Sequence, residues 1–133
     1  MRPVRLLVTG FGPFPGIPSN PSAGLAKHVA GSCRWGNLGV ETLALVLPTT
    51  YAAITRDLMP AIEESRPDAI LMIGVAGRSG AIRVEAFGRN RASTLLPDAA
   101  RFTPTSLRLA EGPALRRTGM RPAVRPQCFG VRG

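Results

Sequence analysis

Leu6, Leu7 and Val8 form an unbroken apolar run, the pattern of a strand buried on both faces as in parallel sheets. Asn20 followed by Pro21 predicts a helix start, because an Asn side chain caps free amides and Pro fits the first turn. Leu25 and Val29 are expected to share that helix's inward face. VETLALVLP, Val40 to Pro48, reads as a second strand, ended by a proline that cannot donate to a ladder. Thr49 or Thr50 can cap the helix that follows. In it Ile54, Leu58 and Ile62 recur every four residues, Pro60 kinks the axis, and Arg56, Asp57, Glu63 and Glu64 lie on the wet side. It stops before Pro67. DAILMIGVAGRSG predicts a third buried strand running into a glycine loop. AIRVEAFGRN alternates Ile82, Val84 and Ala86 against Arg83, Glu85 and Phe87, a fourth strand with one polar face.

This order predicts an α/β domain with a mostly parallel sheet and helices packed against it. Ligands in such sheets sit at the carboxyl ends of the strands, so the loops Gly10–Asn20 and Gly74–Gly80 are expected to face one crevice. A dinucleotide fingerprint fails there: Gly10 and Gly12 are followed by Pro13, Phe14 and Pro15, and Gly16 comes one place late. GVAGRSG lacks the GK[ST] ending of a triphosphate loop. What remains is an apolar pocket of fixed shape. Phe11 and Phe14, held by prolines, suit a small, flat, neutral ligand, with backbone amides and Asn20 supplying polar contacts. The alternative is that both rings plug the core beneath the loop.

Composition narrows the class. With 133 residues, 44% of them hydrophobic, the chain suits one domain and is not disordered as a whole. No apolar run reaches the roughly 20 residues of a membrane span. The apolar segment after MRPVR breaks at Gly10 and meets prolines, which disfavours a signal peptide and leaves the cytoplasm as the expected location. Cys33 and Cys128 match neither a metal-ligand spacing nor a disulfide framework. Residues 1–77 carry six basic and five acidic side chains, residues 78–133 eleven and three. Such asymmetry can mark nucleic-acid binding, but the arginines are scattered singly without interleaved aromatic residues, which disfavours that partner.

LVTGFGPFPG with NPS, then LPTTY, then PDAILMIGVAGRSGAIRVEAFGRN together resemble the pyroglutamyl peptidase (pyrrolidone-carboxylate peptidase) family, in order and spacing, over roughly residues 4–98. The resemblance implies a three-layer α/β/α sandwich of phosphorylase/hydrolase-like type. It implies a cysteine exopeptidase acting on peptides with an N-terminal pyroglutamate, through a cysteine, a histidine and an acidic residue, with no metal or other cofactor. By the same resemblance Phe11 and Phe14 would pack on the lactam ring, Asn20 would fix the loop, the backbone at Gly74 and Val75 would meet the lactam, and Glu85 would be the acidic catalytic residue. The family often has Gln where Val75 stands, so a side-chain hydrogen-bonding group is replaced there.

The family's Cys-Asn nucleophile segment and its later histidine have no match among these residues. Cys128 lies in RPQCFGVRG, and His28, the one histidine, is expected on a solvated helix surface. Residues 1–100 are therefore expected to be the N-terminal part of one such domain, C-terminally truncated, and 101–133 a basic, Pro/Arg-rich, weakly ordered tail with a faint helix at Leu107–Leu115. The chain as it stands is expected to be inactive, or at most to bind pyroglutamyl ends. An open sheet edge would also permit self-association into a homo-oligomer.

Overall fold

Strand β1 (Val4–Phe11) lies at the centre of a three-stranded sheet, paired in parallel with β2 (Val40–Leu47) on one side and β3 (Ala69–Met72) on the other. The structure, a computed structural model, describes residues 1–119; Cys128 lies outside the described residues. These strands belong to a compact unit of Met1–Val75 and Asp98–Phe102. Leu7, Val8, Thr9 and Gly10 are consecutive and all buried. Successive side chains of a strand point to opposite faces, so both faces of β1 are covered, as its apolar run predicts.

Helix α1 (Pro21–Ala30) covers the face bearing Val8 and Gly10. Asn20 caps it, its Oδ1 accepting from the Ser22 N–H at 3.1 Å, and Pro21 occupies the first turn. Its inward stripe is Ser22 and Ala26, one turn apart, whereas Leu25 is 47% exposed. The expectation for Leu25 is corrected by the closeness of the packing: where α1 approaches Gly10 only small side chains fit. A short helix α2 (Arg34–Asn37) follows, tied back by a hydrogen bond from the Trp35 indole to the Val29 carbonyl at 2.6 Å.

After β2, Thr50 Oγ1 accepts from Ala53 N–H at 3.2 Å in the turn that leads into the next helix. The chain then makes a π-helical turn (Ile54–Leu58) before α3 (Met59–Ser65). Pro60 is the cause: it has no N–H and its ring crowds the carbonyl a turn earlier, so the preceding turn widens and Met59 N–H donates to Ile54. The extra residue rotates Ile54 away from the sheet, leaving it 41% exposed against the four-residue periodicity. Arg66, at φ 45°, terminates α3 before Pro67.

Two expectations about strands are corrected. Strand β3 is not buried: Ile70 and Met72 are 40% and 54% exposed, since pairing with β1 satisfies the backbone of β3 and leaves the face bearing these side chains open. Residues 81–86 form no strand. The strand there is β4 (Phe87–Arg89), antiparallel to β5 (Leu115–Arg117), in a second compact unit built from Ala76–Pro97 and the described residues from Thr103 onward. The stretch Leu107–Leu115 holds no helix; it ends in β5. In both cases a pairing between residues distant in sequence overrides local pattern.

At the opposite end of the sheet from the loops, Asp68 accepts two hydrogen bonds from the Arg2 guanidinium, at 2.9 and 2.6 Å, and one from Arg5 N–H at 2.8 Å. These bonds, Arg2 first, hold the Asp68 carboxyl at about 2 against an ordinary value of 3.8. A depressed folded value means the contribution to stability is complete above about 3.8 and is lost as pH falls toward about 2. The stability difference between the chain and Asp68→Asn should therefore shrink across that window in acid titrations monitored by circular dichroism. A difference independent of pH there would contradict the assignment.

Candidate functional site

The parallel register aligns the carboxyl ends of all three strands, since Phe11 pairs with Leu47 and Thr9 with Met72. Loops from β1, β2 and β3 therefore leave one end of this sheet, where α/β proteins place ligands. The β1 loop is the most constrained. Gly12 N–H donates to Leu47 O at 2.8 Å, and its carbonyl accepts from both Asn20 Nδ2 at 3.0 Å and Thr49 Oγ1 at 2.9 Å. Phe11 N–H donates to Ser22 Oγ at 2.9 Å, and Ser22 Oγ–H donates to Asn20 Oδ1 at 2.7 Å. Phe14 and Ile17 exchange backbone hydrogen bonds at 3.1 and 2.8 Å around Gly16, which sits at φ 85° where other residues are strained. Pro13, Pro15 and Pro18 stiffen the exposed rim.

The consequence is a rigid arc whose polar backbone is largely consumed by its own frame. Phe11, Phe14 and Asn20 are each half-buried, neither fully in the core nor free in water. Asn20 does two structural jobs at once, capping α1 and holding Gly12, so its side chain has little left to offer a ligand. Ser22 and Thr49 are part of the frame that the motif reading did not single out for this role. The signal was present in NPS, where a short polar side chain two residues after Asn can close a local hydrogen-bonded loop.

Gly74 and Val75 follow β3 at the same end of the sheet and are exposed. Nothing lies within 4 Å of where a Cβ on Gly74 would stand, so the backbone there is open to approach. Residues 98–102 return to this unit and brace the β2 loop. Asp98 accepts from Tyr51 N–H at 3.0 Å, Ala99 N–H donates to Thr49 O at 3.0 Å, and the Tyr51 and Phe102 rings meet edge to face at 6.5 Å. Burial pushes the Asp98 carboxyl up, but backbone N–H donors from Phe102, Tyr51 and Ala100 outweigh it and hold the group below its ordinary value. This brace was invisible to periodicity, since it lies in a stretch without an apolar pattern.

Glu85 belongs to the second unit. Its side chain is 75% exposed and faces Arg83 at 3.9 Å, while its carbonyl accepts from Thr118 Oγ1 at 3.0 Å. His28 is exposed on α1, and its side chain makes no hydrogen bond or ion pair among the described residues. Cys33, also exposed, precedes α2. Among the described residues no three His, Cys, Asp or Glu side chains are grouped to hold a metal ion, and no helix is long and apolar enough to cross a membrane.

Comparison with known proteins agrees with the motif reading. The family model described as pyroglutamyl peptidase matches residues 4–114. The pyrrolidone-carboxylate peptidase of Levilactobacillus brevis is 32% identical over 101 residues, covering 76% of this chain and 48% of the relative. That of Thermococcus kodakarensis is 31% identical over 109 residues, covering 82% and 51%. Among solved structures, pyroglutamyl peptidase I from Bacillus amyloliquefaciens superposes with a TM-score of 0.77 at 29% identity, covering 88% of this chain and 55% of that one. A mutant pyrrolidone carboxyl peptidase from Pyrococcus furiosus gives 0.76 at 28% identity, covering 86% and 54%. The chain spans about half the length of the curated relatives it matches.

Proposed function

The chain belongs to the pyroglutamyl peptidase family, and on that premise we propose that it carries the ring-binding part of a cysteine exopeptidase site for peptides beginning with pyroglutamate. In this reading residues 1–100 are the N-terminal part of one α/β domain and 101–133 a basic tail. Phe11 and Phe14 pack on the faces and edge of the lactam ring, Asn20 keeps their loop in shape, and the backbone at Gly74 and Val75 meets the lactam amide. Glu85 is the acidic residue of the catalytic set. It can orient an imidazole, and it forms no bond with substrate itself.

The observation that carries the reading is the framing of the Phe11–Asn20 loop. Hydrogen bonds among Phe11, Gly12, Asn20, Ser22, Leu47 and Thr49 fix two half-buried phenyl rings at the carboxyl end of the central strand. A neutral lactam needs such a wall, rigid and apolar with a few backbone donors and acceptors, whereas a phosphate would need bare amides. The chain's own residues thus supply binding and orientation. Amide cleavage further requires a thiolate with a base in reach, and His28 and Cys33 are both exposed surface groups of the first unit. The chain by itself is proposed to bind pyroglutamyl ends without cleaving them.

Titration with 2-pyrrolidone, followed by amide NMR, tests the pocket. Shifts should concentrate at Phe11–Asn20 and Gly74–Val75 and saturate in about the millimolar range, the ceiling for so few heavy atoms. Phe14→Ala should abolish them. Shifts confined to residues after 101 would refute the assignment.

A further inference from the structure

Among the described residues the second unit carries seven arginines, and its acidic side chains are Glu85 and Glu111. Glu85 faces Arg83, but Arg89, Arg91, Arg108, Arg116 and Arg117 have no carboxylate within ion-pair distance among the described residues. Residues 120–133 add Arg121, Arg125 and Arg132 to the sequence and no Asp or Glu, so no side-chain carboxylate from that stretch can neutralise the excess.

Three of these arginines are gathered in one place. Arg89, Arg91 and Arg108 line an open groove of about 510 Å³ whose remaining walls are Asn90, Leu107, Ala114 and Leu115. Its frame is set by Asn90. The Asn90 Nδ2 donates to Ala110 O at 2.6 Å, its Oδ1 accepts from the N–H groups of Leu109 and Ala110 at 3.1 and 3.0 Å, and its own N–H donates to Ala114 O at 2.9 Å. Ala92 N–H adds a bond to Leu107 O at 2.7 Å, and Arg89 pairs with Leu115 in the β4–β5 ladder. The backbone segments that carry the three guanidinium groups are therefore laced together before any ligand arrives, which lowers the cost of ordering them.

We propose that this groove is a binding site for a small polyphosphate, a ligand with three or four negative charges on adjacent phosphoryl groups. Guanidinium forks match phosphate oxygens in bidentate geometry, and the groove's volume falls in the range of small-ligand sites. Its apolar walls hold no aromatic ring on which a base could stack, which sets it apart from a single-strand nucleic-acid channel. No helix occurs in this unit among the described residues, so it lacks the amphipathic helix with which a protein lies on a lipid surface. The site is independent of the pyroglutamyl reading.

The test is titration of the full 133-residue chain with sodium tripolyphosphate, by amide NMR and calorimetry at physiological ionic strength. Saturable shifts should centre on Arg89–Arg91 and Leu107–Arg108. An Arg91→Gln, Arg108→Gln double variant should bind at least about tenfold more weakly. A control double variant, Arg34→Gln with Arg78→Gln, should stay within about twofold. None of these four guanidinium groups makes an ion pair among the described residues, so retained amide dispersion is expected of both variants. Non-saturating shifts spread over all arginines, or equal affinity in both double variants, would overturn the proposal. Tighter binding of a short DNA duplex, or of phosphatidylserine vesicles, than of tripolyphosphate would overturn it too. Addition of 2-pyrrolidone should leave the tripolyphosphate curve unchanged, so this site and the lactam pocket fail or stand separately.

Discussion

Incubated with a fluorogenic pyroglutamyl amide, the purified 133-residue chain is expected to give turnover indistinguishable from buffer. Relative to a complete nucleophile, base and acid the loss should approach roughly a millionfold, because members of a catalytic set act as a unit and removing one removes most of the rate. The sequence contains one histidine, His28, and the structure leaves it exposed on α1 without a partner among the described residues. Glu85, exposed and facing Arg83, has no imidazole of the second unit to orient, since that unit contains no histidine. Cys128→Ser and Glu85→Gln should accordingly change nothing. Turnover well above buffer that vanishes in Cys128→Ser would sink the prediction and identify Cys128 as a nucleophile; turnover that survives Cys128→Ser but vanishes in Cys33→Ser would implicate the other thiol. Retained 2-pyrrolidone binding with no turnover would support a binding function for this chain.

Gly10→Ala should be the most disruptive single-methyl change in the first unit. A Cβ at position 10 would lie 2.3 Å from the Ser22 carbonyl oxygen and 2.7 Å from its carbon, both backbone atoms of α1 that no rotamer change can move. The helix would have to retreat from β1, breaking the Phe11-to-Ser22 hydrogen bond and releasing the aromatic loop with it. A destabilisation of about 3 kcal/mol is expected, read as a lower urea midpoint of the fluorescence of Trp35, the chain's one tryptophan. Gly24→Ala on the same helix is the contrast. Nothing stands within 4 Å of its Cβ position, and alanine is the better helix former, so this variant should be stabilised by about 0.5–1 kcal/mol. A Gly10→Ala midpoint equal to that of the parent chain would show that α1 is not held against β1 as described. Both effects bear on the proposed ring binding, since the loop that carries Phe11 and Phe14 depends on the same packing.

What the amino-acid sequence determined by itself is local. The strand over the apolar run Leu6–Val8, the Asn20–Pro21 helix start, the Thr50 turn after β2, the stop of β2 before Pro48 and the disturbance at Pro60 all appear in the structure where the residues predict them. Each is set by residues close together in sequence, and the aromatic, proline-stiffened loop is legible in the same way, although Leu47 and Thr49 complete its frame from the end of β2. Tertiary structure decided the rest. Ser22 and Ala26, not Leu25, face the sheet because Gly10 brings α1 too close for a large side chain. Ile70 and Met72 stay exposed although their composition is apolar, because burial depends on what packs over that face and not on the strand's own residues. Phe87–Arg89 pairs with Leu115–Arg117, and Asp98 reaches back to Tyr51, across separations that no periodicity encodes. Local signals survive in the sequence because one or two residues set them, whereas burial and pairing are settled only when distant segments compete for the same faces.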